Sequence, residues 1–116
     1  MAKENLIVRL TFDFSIQVIE LYRYLIRNNE FVISKQLLRS STSIGANVEE
    51  ANAAMSKKEF IQRMSIFSKE ARETKYWLRL LDKSQIVPFD YSIYLKSIDD
   101  IITIITRIVK TSQESN

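Results

Sequence analysis

The sequence has no cysteine and no histidine, and it contains a single glycine and a single proline among 116 residues. Without cysteine there are no disulfides, thiolate nucleophiles or zinc knuckles. Without histidine there are no His-based triads, no His-ligated zinc or haem, and no di-iron sites built on Glu-x-x-His. Hairpins and β-barrels need frequent turn residues, so the shortage of glycine and proline argues against an all-β fold. The composition therefore favours a protein that is not an enzyme and holds no metal or cofactor.

The charge balance is mildly basic. Lys and Arg number 17 against 14 acids, which gives a net charge of +3 and a pI near 9.2. Such a balance gives weak support to an acidic partner such as nucleic acid. No apolar run approaches the roughly 18 residues of a membrane span, and residues 1–5 do not open a signal peptide. We therefore expect a cytoplasmic protein with no membrane partner.

Four segments have apolar residues at steps of three and four, which predicts four helices at about residues 5–28, 32–54, 57–83 and 89–111. The breaks are Asn28-Asn29, a capping box that begins at Ser56, and a loop that contains Pro88. Because the connections are short, the prediction is one domain over 1–116, an all-α antiparallel up-down-up-down four-helix bundle. The predicted core faces are Leu10, Phe14, Val18, Leu21 and Leu25; Ile33, Leu37, Ser41, Ile44, Val48, Ala51 and Met55; Phe60, Met64, Phe67, Ala71, Thr74, Leu78 and Leu81; and Tyr94, Ile98, Ile101, Ile105 and Ile108.

The first and third helices have more apolar surface than one bundle core needs. The first has a second apolar row nearly opposite its core face, and the third has apolar residues on another side. Exposed patches of that size are unusual on monomers. The pattern predicts a homo-oligomer whose interface contains Val8, Phe12, Ile19, Tyr22, Ile66, Trp77 and Leu80.

The second helix has unusually small residues in its middle, from Ser40 to Ala46. Two interpretations stay open: close packing of a neighbouring helix, or a groove that admits a partner backbone. Arg39 lies among these small residues and would reach either an interhelical acid or a phosphate. Two acidic pairs, Glu49-Glu50 and Asp99-Asp100, are not ready-made dyads, because adjacent residues on a helix point about 100° apart. We interpret both pairs as solvated or salt-bridged surface.

The basic residues of the third helix are better organised. Six of them fall within a sector of roughly 120° on the helix surface, and Tyr76 lies among them. The segment 61–83 holds six bases and three acids, and its net charge of +3 equals that of the whole chain. This row predicts a phosphate-binding stripe, and the alternative is a solvated face with i,i+4 pairs such as Glu59–Arg63 and Lys69–Glu73. We call it the basic stripe; its members are Lys58, Lys69, Arg72, Lys75, Tyr76, Arg79 and Lys83.

Residues 36–51 resemble the signature of the four-helix-bundle proteins encoded in 23S rRNA intervening sequences. That family reads Gln-Leu-x-Arg-x-x-x-Ser-Ile-x-x-Asn-Ile-x-Glu. The matching positions are Gln36, Leu37, Arg39, Ser43, Ile44, Asn47 and Glu50, with Val48 in place of the usual Ile. Residues 56–60 and 70–78 also resemble this family, and the resemblance covers about residues 5–110.

The resemblance implies a four-helix bundle that assembles as a homopentamer around a central channel. A relative, the accessory variability determinant of diversity-generating retroelements, is linked to nucleic-acid binding and to a reverse transcriptase. RNA or DNA and such a protein are therefore the partners that the resemblance suggests. The function that we expect is a non-enzymatic oligomer that binds structured RNA, or RNA and DNA, non-specifically through the basic stripe. The alternative is a protein-interaction or scaffolding oligomer that does not bind nucleic acid.

Overall fold

The computed structural model describes residues 2–114, with side chains from residue 6 onward. It contains four helices: α1 (Ala2–Arg27), α2 (Ile33–Asn52), α3 (Lys57–Ser84) and α4 (Ser92–Glu114). Each helix packs against the next along the chain, and α4 returns to α1 through the smallest of the four contacts. The Cα atoms span 49 × 20 × 20 Å. The predicted all-α four-helix bundle is confirmed.

The core follows the predicted faces of the helices. Phe14, Val18, Leu21 and Leu25 of α1 are buried, as are Ile98, Ile101, Ile105 and Ile108 of α4. The core face of α3 includes a buried hydroxyl pair, in which Thr74 Oγ1 donates to Ser40 Oγ of α2 at 2.8 Å. Three further core residues, Ile7, Val87 and Tyr91, were not predicted. Burial raises the pKa of Tyr91 to about 12, and its hydroxyl donates to the carbonyl of Val87 at 2.8 Å.

The first turn of the chain is built around Asn29 and Glu30. Asn29 has a φ of 64°, and the Glu30 amide donates back to the Leu25 carbonyl at 3.0 Å, which closes the end of α1. The buried carboxylate of Glu30 then accepts the amides of Val32, Ile33 and Ser34 at 3.0, 3.0 and 2.6 Å. These amides belong to the unsatisfied first turn of α2, so one acidic side chain caps α2 from outside the helix.

The predicted position of Met55 was wrong. Because α2 ends at Asn52, Met55 lies in the turn before α3, and its side chain is 92% exposed. The Ser56 side chain begins α3 as predicted, by accepting the Glu59 amide at 3.1 Å. The Glu59 carboxylate accepts the amide of Met55 at 3.2 Å.

The start of α4 also differs from the prediction. Phe89 precedes the helix and packs its ring against Tyr24, Tyr91 and Tyr94. Asp90 Oδ1 accepts the amide of Ser92 at 3.0 Å, and hydrogen bonds from Ser92 lower the pKa of Asp90. The helix begins at Ser92, where this aspartate satisfies a first-turn amide.

Candidate nucleic-acid interface

The basic stripe lies along the side of α3 that borders α4 and the solvent. Arg72 lines a groove with α4, and Lys75 Nζ pairs with Asp99 Oδ1 of α4 at 2.7 Å. Tyr76 is 52% exposed and meets Trp77 edge-on, with 5.1 Å between the ring centroids. The remaining cations of the stripe are all exposed: Lys58, Lys69, Arg72, Arg79 and Lys83. The structure thus places all seven predicted residues on one side of one helix.

Two of the three acids in the segment 61–83, Glu70 and Glu73, pair with another helix. Glu70 and Glu73 both accept hydrogen bonds from Arg39 of α2, and Glu70 does so at 3.3 Å. The indole Nε1 of Trp77 also donates to Glu73 at 3.0 Å. Arg39 therefore forms the interhelical ion pair that was one of its two predicted roles.

The predicted i,i+4 pair Glu59–Arg63 is also replaced by an ion pair between two helices. Arg63 pairs with Glu50 of α2 at 2.8 Å rather than with Glu59 of its own helix. Among the residues that the structure describes, Lys58, Lys69, Arg72, Arg79 and Lys83 form no ion pair. Because Glu70 and Glu73 pair with Arg39, these five cations of the stripe form no ion pair with them, and only the charge of Lys69 acts on Glu73.

The pKa values of this cluster follow from its geometry. The hydrogen bond from Trp77 lowers the pKa of the Glu73 carboxyl, and the hydrogen bond and charge of Arg39 add to this against the opposing effect of partial burial. The hydrogen bond to Glu73 raises the pKa of Arg39. Both groups are therefore held in their charged forms at neutral pH.

The residues of the predicted family signature divide between the core and the seam that joins α2 to α3. Leu37 and Ile44 are buried. Arg39 and Glu50 form the ion pairs with α3, and Gln36 Oε1 lies 3.5 Å from Arg39 Nε. The side-chain amide of Asn47 donates to the Ser43 carbonyl at 2.9 Å. Two residues of the signature, Arg39 and Glu50, therefore link α2 to α3, and the hydrogen bonds of Gln36 and Asn47 lie within α2.

The residues predicted for an oligomer interface are exposed to different degrees. Phe12 is 60% exposed, Ile19 36% and Ile66 40%, whereas Tyr22 and Leu80 are half-buried. Val8 and Trp77 pack against the bundle core, so they are not surplus apolar surface. Ile16, which was not predicted, lies one turn from Phe12 and is 47% exposed. We call Phe12, Ile16 and Ile19 the α1 apolar face.

The small middle of α2 is in close contact with α1. A Cβ placed on Gly45 would lie 3.4 Å from Ser15 Oγ and 3.7 Å from the Thr11 carbonyl oxygen. This geometry favours close packing over the alternative of a groove for a partner backbone. A shallow groove remains beside it, lined by Phe12, Thr42, Ala46 and Glu49 among others.

The acidic pairs act as surface charges. Asp99 pairs with Lys75, Asp100 with Lys96 at 3.2 Å, and Glu50 with Arg63. Within the described part of the chain, no group of three or more acidic residues could hold a metal ion. No helix in residues 2–114 is both long and apolar enough to cross a membrane.

A groove between α3 and α4 adds residues that the sequence analysis missed. Ser65, Ser68 and Arg72 of α3 face Thr106, Val109, Lys110 and Gln113 of α4 across a volume of about 310 Å³. We call it the α3–α4 groove. The polar residues at 106, 110 and 113 interrupt an isoleucine-rich helix at steps of three and four, and this pattern could have indicated a polar face towards α3.

The fold and this surface define a small all-α four-helix bundle with a cationic side along its third helix. The chain belongs to the 23S rRNA-intervening sequence protein family, whose model matches residues 3–107. The resemblance predicted from residues 36–51 is thus confirmed.

A solved structure supports both the fold and the family. It is a protein with unknown function from the S23 ribosomal protein family of Bacteroides thetaiotaomicron VPI-5482. The two chains share 39% sequence identity, with a TM-score of 0.88, over 93% of this chain and 98% of the other. No curated protein matches this chain by sequence.

Proposed function

We propose that the chain is a non-enzymatic, homo-oligomeric bundle protein that binds nucleic acid through the basic stripe of α3. The observation that supports this most directly is the separation of charge on α3. Glu70 and Glu73 turn to Arg39 of α2, whereas five described cations of the stripe are exposed and form no ion pair: Lys58, Lys69, Arg72, Arg79 and Lys83.

The stripe has dimensions that suit a phosphate backbone. From Lys58 to Lys83 it runs about 37 Å at 1.5 Å per residue, and duplex DNA has one phosphate of each strand for about every 3.4 Å of its helix axis. Lysine and arginine contacts to phosphate position the ligand without reading its sequence. The exposed ring of Tyr76 offers one surface on which a base could stack. We therefore expect sequence-tolerant binding of RNA or DNA.

The α1 apolar face supports the oligomeric part of the proposal. Phe12, Ile16 and Ile19 are spaced to share one side of α1, and each is at least 36% exposed. A second copy that covers this face would remove apolar surface from water. The pentamer implied by the family resemblance is the assembly that we propose. Assembly would multiply the stripes and raise avidity without new contacts.

Light scattering tests the assembly. We expect the parent at micromolar concentration to have about five times its chain mass of 13.6 kDa. Phe12→Asp should shift the mass downward, because a carboxylate would be buried unpaired in the interface. Ile93→Asp is the matched control, since Ile93 is 68% exposed on α4. A parent mass of one chain would remove the oligomer from the proposal.

Fluorescence anisotropy with labelled RNA and DNA tests the ligand. Arg72→Glu/Arg79→Glu should weaken binding of both, because it reverses two charges of the stripe. Arg9→Glu/Arg27→Glu reverses two exposed charges on α1 and should have a much smaller effect. Equal binding by the stripe variant and the parent would show that the stripe is only a solvated face. The scaffolding oligomer would then be the better account, with the α1 apolar face as its supporting observation.

A further inference from the structure

We infer that the phosphate backbone is seated in the α3–α4 groove, between Arg72 and Lys110, rather than evenly along the basic stripe. This inference rests on the proposed nucleic-acid binding and locates it. The groove receives one cation from each helix and four neutral polar side chains: Ser65, Ser68, Thr106 and Gln113. None of the described residues that line the groove is acidic.

Five of the six polar side chains of the groove are available to a ligand, and Ser65 is the exception. The Ser65 hydroxyl donates to the Ile61 carbonyl at 2.9 Å. The side chains of Ser68, Arg72, Thr106, Lys110 and Gln113 form no hydrogen bond or ion pair with the described remainder of the chain. A guanidinium binds phosphate through two parallel N–H donors, and an ammonium adds a second charge. Hydroxyl and amide donors beside them complete the chemistry of a phosphate site.

The charge of the α3–α4 seam differs between its two halves. In the half that contains Lys75, that lysine pairs with Asp99, and Lys96 pairs with Asp100 on the surface of α4. In the half towards the chain termini the groove continues past Gln113 to a second depression lined by Lys58, Ile61 and other residues. From Arg72 to Lys58 the path is about 21 Å along α3.

Lys110 distinguishes this site from the stripe, because it lies on α4 and is not a member of the stripe. We expect Lys110→Glu to weaken binding of a labelled single-stranded RNA of about 20 nucleotides by roughly tenfold at low salt. The slope of log K against log salt concentration should become shallower by about one. Lys110→Arg should bind within about twofold of the parent, because it keeps the charge. Arg107→Glu is the matched control: it is an exposed cation on the same helix that does not line the groove.

The outcomes separate the inference from the proposed function. If Lys110→Glu binds no worse than Arg107→Glu while Arg72→Glu/Arg79→Glu still weakens binding, the groove is not the site and the stripe alone binds. If the parent itself does not bind the RNA, the proposed function fails and the inference fails with it. Circular dichroism of each variant checks that the bundle is intact, which is expected because Lys110 and Arg107 are both exposed.

A footprint on the parent protein gives a measurement without variants. Bound RNA should reduce acetylation of Lys110 and Lys58 by several-fold, because phosphates would cover both amines. Lys35 and Lys96 lie outside the groove and should react as in the free protein. Equal protection of all four lysines, or protection of none, would overturn the inference.

Discussion

Arg39 is an exposed arginine whose charge is compensated within the protein. Its guanidinium holds Glu70 and Glu73, and Glu73 in turn accepts the Trp77 indole N–H. This arrangement binds α2 to α3 and gives Glu70 and Glu73 an ion-pair partner outside the basic stripe. One side chain of α2 thus reduces the neutralisation of the stripe by two acids of its own helix.

The pH dependence of stability should report this cluster. The folded pKa of Glu73 lies below its ordinary value, so its contribution is fully present above about pH 5 and is lost as the pH falls through the folded pKa. Glu73→Gln should therefore reduce the free energy of unfolding at pH 7 and have less effect near pH 3. Urea unfolding at both pH values measures this, and an equal loss at both would contradict the assignment.

Glu30 is a second residue with a large predicted effect. Glu30→Gln removes the negative charge that the first-turn amides of α2 face. Because hydrogen bonds to charged groups and the helix dipole both favour the carboxylate, we expect a loss of about 1–2 kcal/mol in the free energy of unfolding. Glu20→Gln, at an exposed position of α1, should change it by less than about 0.5 kcal/mol. Similar values for the two variants would refute the capping role.

At the scale of the helices, Gly45 fixes the distance between α1 and α2. Gly45→Ala should stabilise the protein by up to about 1 kcal/mol, because alanine is the better helix former and its Cβ would make an ordinary contact with Ser15. Gly45→Leu should destabilise it by about 1–3 kcal/mol, since the larger side chain would force the helices apart.

Thermal unfolding of these variants is the measurement. Lys35→Leu provides the control for a leucine on α2, because Lys35 is exposed and does not line the groove with α1. A Gly45→Leu variant as stable as the parent would show that α1 and α2 do not pack closely at this point.

The helical core could be predicted from the sequence because spacing alone places apolar residues on one face. The helix ends could be predicted only where the cap is visible in the sequence, as in the capping box at Ser56. Glu30 caps α2 although glutamate is not a preferred N-cap residue. Asp90 accepts the amide of Ser92, and α4 begins at Ser92 instead of Phe89. The short turn after Asn52 likewise leaves Met55 in solvent.

The candidate site shows the same division. The basic stripe could be predicted because all of its residues lie on one helix. The α3–α4 groove could not, because it depends on which helix lies beside Arg72 and on where Lys110 meets it. The ion-pair partner of Glu73 could not be predicted either, since Lys69 on its own helix was as plausible a partner as Arg39 of α2. Contacts between helices decide these points.

At the scale of the whole molecule, apolar and cationic surfaces occupy different sides of the bundle. The α1 apolar face lies beside the groove that α1 forms with α2, where Phe12 meets Thr42 and Ala46. The cationic surface lies where α3 meets α4. Because the two surfaces do not share residues, a second copy could cover the first while the second stays open to nucleic acid.

The most direct test of nucleic-acid binding is the salt dependence of the parent's affinity for RNA. Each phosphate contact contributes about −0.7 to −0.9 to the slope of log K against log salt concentration. Contact of all five stripe cations without an ion pair, Lys58, Lys69, Arg72, Arg79 and Lys83, predicts a linear dependence with a slope of about −4 for each protomer engaged. Contact of the groove cations Arg72, Lys110 and Lys58 alone predicts a slope of about −2 to −3. A slope near zero, or no binding at low salt, would contradict the account.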